Sequence, residues 1–147
     1  MTEPVASAEA AIRRRVDDAV KAVRVKDIDR IMSLYAPDLV AFDVVPPLQY
    51  VGANAYRQRW QETFAAFSGP IDYEVRDLQI TAEGDLGFLH SLNHVKGTSV
   101  QGQKTEAWLR WTAGLRRIAG VWLFVHLHVS VPVDLASGRA ALDLQPV

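Results

Sequence analysis

From Ile71 to Val133 the chain is a succession of strand-length segments parted by turns of two or three residues. Ile71–Glu83 closes at Gly84-Asp85, Leu86–Val100 at Gln101-Gly102-Gln103, and Lys104–Ile118 at Ala119-Gly120; Val121–Val133 follows. Connections this short allow only antiparallel neighbours, so the four segments predict a meander. A sheet of long strands leaves one apolar face that something else must cover. The cover has to come from the residues before Ile71.

Those residues carry a helical period. Ile12, Val16, Ala19, Val20 and Val23 fall on one face, with Arg13, Arg14, Asp17, Asp18 and Lys21 turned to water. Ser7 is the expected N-cap. Asp27 can cap a second, shorter helix carrying Ile28, Ile31, Met32 and Tyr35, which Pro37 ends. Leu39–Asp43 reads as a short strand, and Pro46-Pro47 as a turn. After Gly52 and Asn54 a third helix shows Tyr56, Trp60, Phe64 and Phe67 as an aromatic stripe, and Ser68-Gly69-Pro70 is expected to stop it. Helices followed by strands predict an α+β architecture, helices segregated to one face of the sheet. Residues 1–133 read as one domain; the tail, 134–147, reads as a loop or an arm that packs on a partner.

Composition narrows the function classes. The chain has 147 residues, 49% hydrophobic and 22% charged, with a formal net charge of −1. No basic block exists, which argues against nucleic acid; Arg13-Arg14-Arg15 is followed at once by Asp17 and Asp18 and reads as a solvated face. Without cysteine, disulfides, thiolate catalysis and cysteine-ligated metals are excluded. The N-terminus lacks a signal-peptide pattern, and no apolar run approaches the ~20 residues of a membrane-spanning helix. The expectation is a cytoplasmic protein with no membrane partner.

The block Asp27–Trp60, DIDRIMSLYAPDLVAFDVVPPLQYVGANAYRQRW, resembles the same stretch of the ketosteroid isomerases, within the SnoaL-like and NTF2-like superfamily. The closing segment W-x-x-x-H-x-H-x-S-x-P, Trp122 to Pro132, is similar to the last strand of many SnoaL-like proteins and of kinase-association hub domains. The resemblance implies an NTF2-like cone: three N-terminal helices packed in a strongly curved antiparallel sheet. It also implies a small hydrophobic molecule as partner, no cofactor and no metal, and a homodimer formed through the outer face of the sheet.

Under that resemblance Asp43 falls where the isomerases keep their general base, at the mouth of a cone-shaped pocket. A carboxylate beside Phe42 and two prolines is a candidate for partial desolvation, and equally for a turn-capping aspartate. The isomerase oxyanion hole, a tyrosine and a protonated aspartate, maps to Ala19 and Thr112, and its supporting tyrosine to Trp60. Alanine donates nothing, and loss of one such donor costs on the order of 10²–10³ in rate.

On the Lys104–Ile118 segment, Trp108, Arg110 and Thr112 share a face. With a two-residue hairpin at Ala119-Gly120, Arg110 lies opposite Val129 and Thr112 opposite Leu127. The alignment puts this face inside the cone, so Arg110 is expected in a cavity walled by Val125, Leu127 and Val129, with Asp43 or an anionic ligand as its partner. The alternative is a surface arginine or a structural ion pair. His126 and His128 are then expected on the outer face, beside Trp122, Phe124 and Ser130. His90 and His94 share a strand face but stand about 13 Å apart at ~3.3 Å per residue, too far to chelate one ion. Trp60, Phe64 and Tyr50 are expected to shape the pocket.

These readings converge on a SnoaL-like small-molecule enzyme of isomerase, cyclase or hydratase type, with Asp43, Arg110 and Thr112 as its chemistry. A limonene-epoxide-hydrolase-like variant needs an Asp-Arg-Asp set, of which Asp43 and Arg110 supply two members. The alternative is a non-catalytic ligand-binding or dimerisation domain of the same fold.

Overall fold

The computed structural model describes residues 4–147. The helical period of the N-terminal segment becomes α1 (Val5–Val25), which turns Ala8, Ile12, Val16, Ala22 and Val23 into the core. It starts earlier than Ser7 predicts, with Pro4 at the N-cap position, so Ser7 lies within the first turn. Lys26 ends it in the left-handed conformation, its Nζ donating to the Phe67 carbonyl at 2.9 Å. Asp27 caps α2 (Ile28–Met32) as expected, accepting from the Arg30 N–H at 3.1 Å.

The second helix is shorter than its periodicity suggested. Strand β1 (Tyr35–Phe42) already begins at Tyr35 and contains Pro37. The register against β6 (Val121–Ser130) is interrupted between Tyr35 and Val40, and that gap is where a residue without an N–H is tolerated. A two-residue strand, β2 (Tyr50–Val51), follows the proline turn. Gly52, at φ 90°, then starts α3 (Ala53–Ala66). The chain passes from α3 straight into β3 (Phe67–Glu83), so Ser68, Gly69 and Pro70 lie in an irregular first part of a strand and not in a helix stop. Strands β4 (Leu86–Ser99) and β5 (Lys104–Ile118) complete the meander with β6. Beyond it Val133–Asp134 pairs with Arg139–Ala140 as a small hairpin, which gives the tail a local structure.

The sheet order is β2-β1-β6-β5-β4-β3. The meander is antiparallel as predicted, but β1 lies parallel to β6, so the sheet is mixed and not wholly antiparallel. Bulges bend it. One lies between Arg76 and Gln79, where Asp77 takes φ 57°, and another adds Val125 to β6 between Leu115 and Gly114 of its neighbour. The inner face of the bent sheet and the helices share one core, in which Ile12, Ile31, Leu34, Leu39, Leu89, Leu115 and Phe124 are fully buried. Among the described residues no helix is long and apolar enough to cross a membrane.

Close approach is needed where α3 hands over to the sheet. A Cβ on Gly97 of β4 would stand 2.7 and 2.8 Å from two carbons of the Phe67 ring. We expect Gly97→Ala to lower unfolding free energy by about 1–3 kcal/mol in chemical denaturation, the usual cost of overpacking; an unchanged midpoint would show that Phe67 moves freely.

Candidate active site

Helices and sheet do not meet everywhere. Between α1, α3 and the inner face of the sheet lies a cavity of about 310 Å³. Val16, Ala19, Val20 and Val23 of α1 form one wall, and Val95, Leu109 and Trp111 of β4 and β5 another. Trp60, Leu127 and Val129 line it as expected.

Asp43 sits just beyond the end of β1, where the strand alternation that buries Leu39 and Ala41 also turns its side chain inward. Its side chain is only 9% exposed. One carboxylate oxygen accepts the Val44 N–H at 2.7 Å, the other the Tyr56 hydroxyl at 2.9 Å. Arg59 approaches this second oxygen, its Nε at 3.6 Å. That Nε is buried and makes no hydrogen bond, while another guanidinium nitrogen donates to the Thr63 hydroxyl at 2.5 Å. Tyr56, Arg59, Trp60 and Thr63 share one face of α3 because they are spaced by three and four residues.

Three further phenols surround this carboxylate. Tyr35 accepts the Trp60 indole N–H at 3.0 Å, and Tyr73 accepts the Asn93 amide N–H at 2.6 Å. Burial raises the pKa values of Tyr35, Tyr56 and Tyr73 well above the ordinary 10, and the charge of Asp43 raises each further. Tyr50 is raised too, first by desolvation. Its ring packs on Tyr56 at 5.5 Å between centroids, outside the main cavity, where it lines a shallow depression with Pro46 and Pro47. Phe64 is also displaced from its expected role: it is buried against Trp60, 5.3 Å between centroids, behind the cavity wall.

The β5 residues expected inside the cavity are outside it. Ile118 pairs with Val121 as the two-residue hairpin requires, but the bulge at Val125 shifts all later pairs by one residue. Arg110 therefore faces Ser130 and Thr112 faces His128. Ala107, Leu109 and Trp111 turn inward, while Trp108, Arg110 and Thr112 lie on the outer face. Arg110 donates to the Ser130 hydroxyl at 3.1 Å. Trp108 stacks on His94 at 4.6 Å, and His94 meets Glu106 at 2.8 Å. The arginine beside Asp43 is Arg59, which sequence reasoning passed over. Its signal was present, since position 59 falls within the aromatic face of α3.

All four histidines stay out of the cavity. His126 and His128 face outward as expected, though Trp122 and Phe124 do not accompany them, again because the bulge separates the two pairs. His126 Nδ1 donates to the Val40 carbonyl at 2.7 Å, and the Phe42 ring lies against both imidazoles. Among the described residues no group of three or more His, Asp or Glu side chains is placed to hold a metal ion.

The geometry can be set beside known proteins. Residues 12–134 match the family model of the SnoaL-like domain. An NTF2-like protein of unknown function from Pseudomonas putida KT2440 superposes with a TM-score of 0.88 at 34% identity, covering 99% of this chain and 100% of its own. A ketosteroid isomerase-like protein from Erwinia carotovora atroseptica gives 0.72 at 22% identity over 83% of this chain and 94% of its own. An NTF2-like superfamily protein from Salmonella enterica gives 0.79 at 15% identity over 92% and 98%. No curated protein matches the chain by sequence. A family model spanning most of the chain, together with an NTF2-like fold whose cone encloses Asp43, makes this chain a member of the SnoaL-like family.

Proposed function

We propose that the cavity binds a small hydrophobic molecule and that Asp43 moves a proton on it, in chemistry of isomerase, cyclase or hydratase type. The observation that carries this reading is the Asp43 carboxylate, 9% exposed, in the wall of an otherwise apolar cavity of about 310 Å³. Val44 and Tyr56 each occupy one lone pair of a different carboxylate oxygen, which fixes the group and leaves acceptor capacity for a substrate proton. In the isomerase form of the reaction, Asp43 takes a proton from the carbon next to a carbonyl. In a β,γ-unsaturated ketone the C–H electron pair forms a new C=C as the C=O π pair moves onto oxygen to give a dienolate, and Asp43 returns the proton at the far carbon of the original C=C, which becomes C–H as the double bond shifts into conjugation. Hydrogen and charge balance without a further reactant. An engineered apolar cavity of about 150 Å³ holds benzene, so this one suits a body of roughly two fused rings.

A second reading has its own observation. Arg59 lies beside Asp43 at 3.6 Å, as an ion pair in a ligand-binding domain without turnover would require. The two separate in one experiment. Hydrophobic ketones and aromatic carboxylic acids are screened by thermal shift against wild type and Asp43→Asn, and every binder is assayed for turnover. We expect turnover in wild type to fall by about 10² to 10⁴ in Asp43→Asn, the range for a general base, with binding largely retained. Binding without turnover in either protein would favour the binding domain.

The outer sheet face supports a homodimer, since Phe88 (51% exposed) points outward there opposite Gly114, in a region that also holds Trp108 and Leu92. Light scattering at micromolar concentration should give twice the 16.3 kDa chain mass; a monomer would reject this assembly.

The buried phenols also fix a response to alkali. Tyr35, Tyr56 and Tyr73 have folded pKa values above their unfolded value of 10. Their contribution to stability is whole below pH 10 and is lost as pH rises beyond it, by about 1.4 kcal/mol per pH unit for each tyrosine protonated only in the folded state. Tyrosinate absorbance should therefore grow together with loss of helical circular dichroism. More than one tyrosine ionising near pH 10 in folded protein would contradict the buried assignment.

A further inference from the structure

Ser91 and Asn93 are buried polar residues of this core, 5% and 2% exposed, and both sit on the inner face of β4. Polar groups in such a place are costly unless paired. Here they form a directed chain. The Ser91 hydroxyl donates to the Asn93 side-chain oxygen at 2.7 Å, and the Asn93 amide nitrogen donates to the Tyr73 hydroxyl oxygen at 2.6 Å. An amide N–H only donates, so Tyr73 is the acceptor and its own hydroxyl hydrogen is left over. Tyr35 stands in the same state. The Trp60 indole can only donate, and it does so to the Tyr35 oxygen at 3.0 Å. Neither phenol gives its hydrogen to an acceptor among the described residues, and both line the cavity that holds Asp43.

We propose that Tyr35 and Tyr73 are a two-phenol site for a single oxygen of the ligand, a ketone oxygen or the enolate oxygen it becomes, with Ser91, Asn93 and Trp60 as positioning residues. This rests on the small-molecule reading above and names its substrate class: a hydrophobic ketone of about two rings. Each phenol reads the oxygen by donating, which requires that it stay neutral. Burial and the nearby Asp43 charge hold both in the protonated form throughout the neutral range. The donors that the isomerase comparison assigned to Ala19 and Thr112 are thus replaced from other walls of the cone. Ala19 lines the cavity without a donor, and Thr112 does not reach it.

The test uses 2-acetylnaphthalene and 2-ethylnaphthalene, a pair of similar shape of which only the first carries the acceptor. Dissociation constants are measured for wild type, Tyr35→Phe and Tyr73→Phe, with thermal unfolding as the check on folding. Each substitution should weaken the ketone about three- to ten-fold, the range of one neutral hydrogen bond, and leave the hydrocarbon within about two-fold. In wild type the infrared C=O stretch of bound ketone should fall below its position in hexane, a readout that needs no variant to fold. A merely structural tyrosine would alter both ligands together and leave the stretch in place. Equal loss for both ligands, or a stretch at its hexane value, overturns the two-phenol site alone. Binding of neither compound by wild type overturns the ligand-pocket reading, and this site with it.

Discussion

One extra residue in β6 decides which side chains this protein places inside. Side chains alternate along a strand, so a shift of one residue exchanges the two faces. Val125 is that residue. Before it, Trp122 and Phe124 point into the core; after it, Leu127 and Val129 do. The strand thereby keeps an apolar inner face along its length while releasing His126 and His128 to the outside. Its neighbour β5 alternates without interruption, so Ala107, Leu109, Trp111, Ala113 and Leu115 face inward and Arg110 outward, and the bulge only changes which β6 residues stand opposite them. Without the bulge, His126 and His128 would continue the inward face of Trp122 and Phe124 and put two imidazoles into an apolar wall.

The cavity's polarity is instead concentrated on two elements. Helix α3 brings Tyr56, Arg59 and Trp60 to the carboxylate end, and the β3–β4 pair brings Tyr73 and Asn93. Among the described residues the buried side-chain polar atom left without a partner is the Arg59 Nε, while Tyr35 and Tyr73 each accept a hydrogen bond.

The SnoaL-like fold therefore carries a changed set of polar groups around Asp43. The position of Asp43 at the end of β1 is shared with the resemblance to the isomerases, but the surrounding donors are not. Trp60 takes the place of a supporting tyrosine and still offers one N–H, which it directs to Tyr35. The fold fixes where a carboxylate can stand against a cone of apolar residues. The phenols of this cavity stand on other walls than the donors of the isomerase pattern, and one architecture can host different sites.

Much of this was legible in the sequence, because it depends on local pattern. The helical period of residues 12–23, the Asp27 cap, the aromatic face of α3 and the glycine turns of the meander each specify an element from neighbouring residues alone. Asp43 was singled out by the resemblance to the isomerases, since its neighbours alone fit a turn-capping aspartate equally well. The sequence could not show that β1 pairs parallel with β6, since that contact joins residues some 86 positions apart. Nor could it place the bulge at Val125: the hairpin loop has the expected two residues, the extra residue is absorbed five positions later with no glycine or proline in β6, and only Gly114 across on β5 stands beside it. Local propensity and period determined the elements, and the family resemblance of the Asp27–Trp60 block pointed to the carboxylate. Tertiary register, a long-range property set by how apolar faces meet, decided that Arg59, Tyr35, Tyr73 and Asn93 accompany Asp43 and that Arg110 and Thr112 do not.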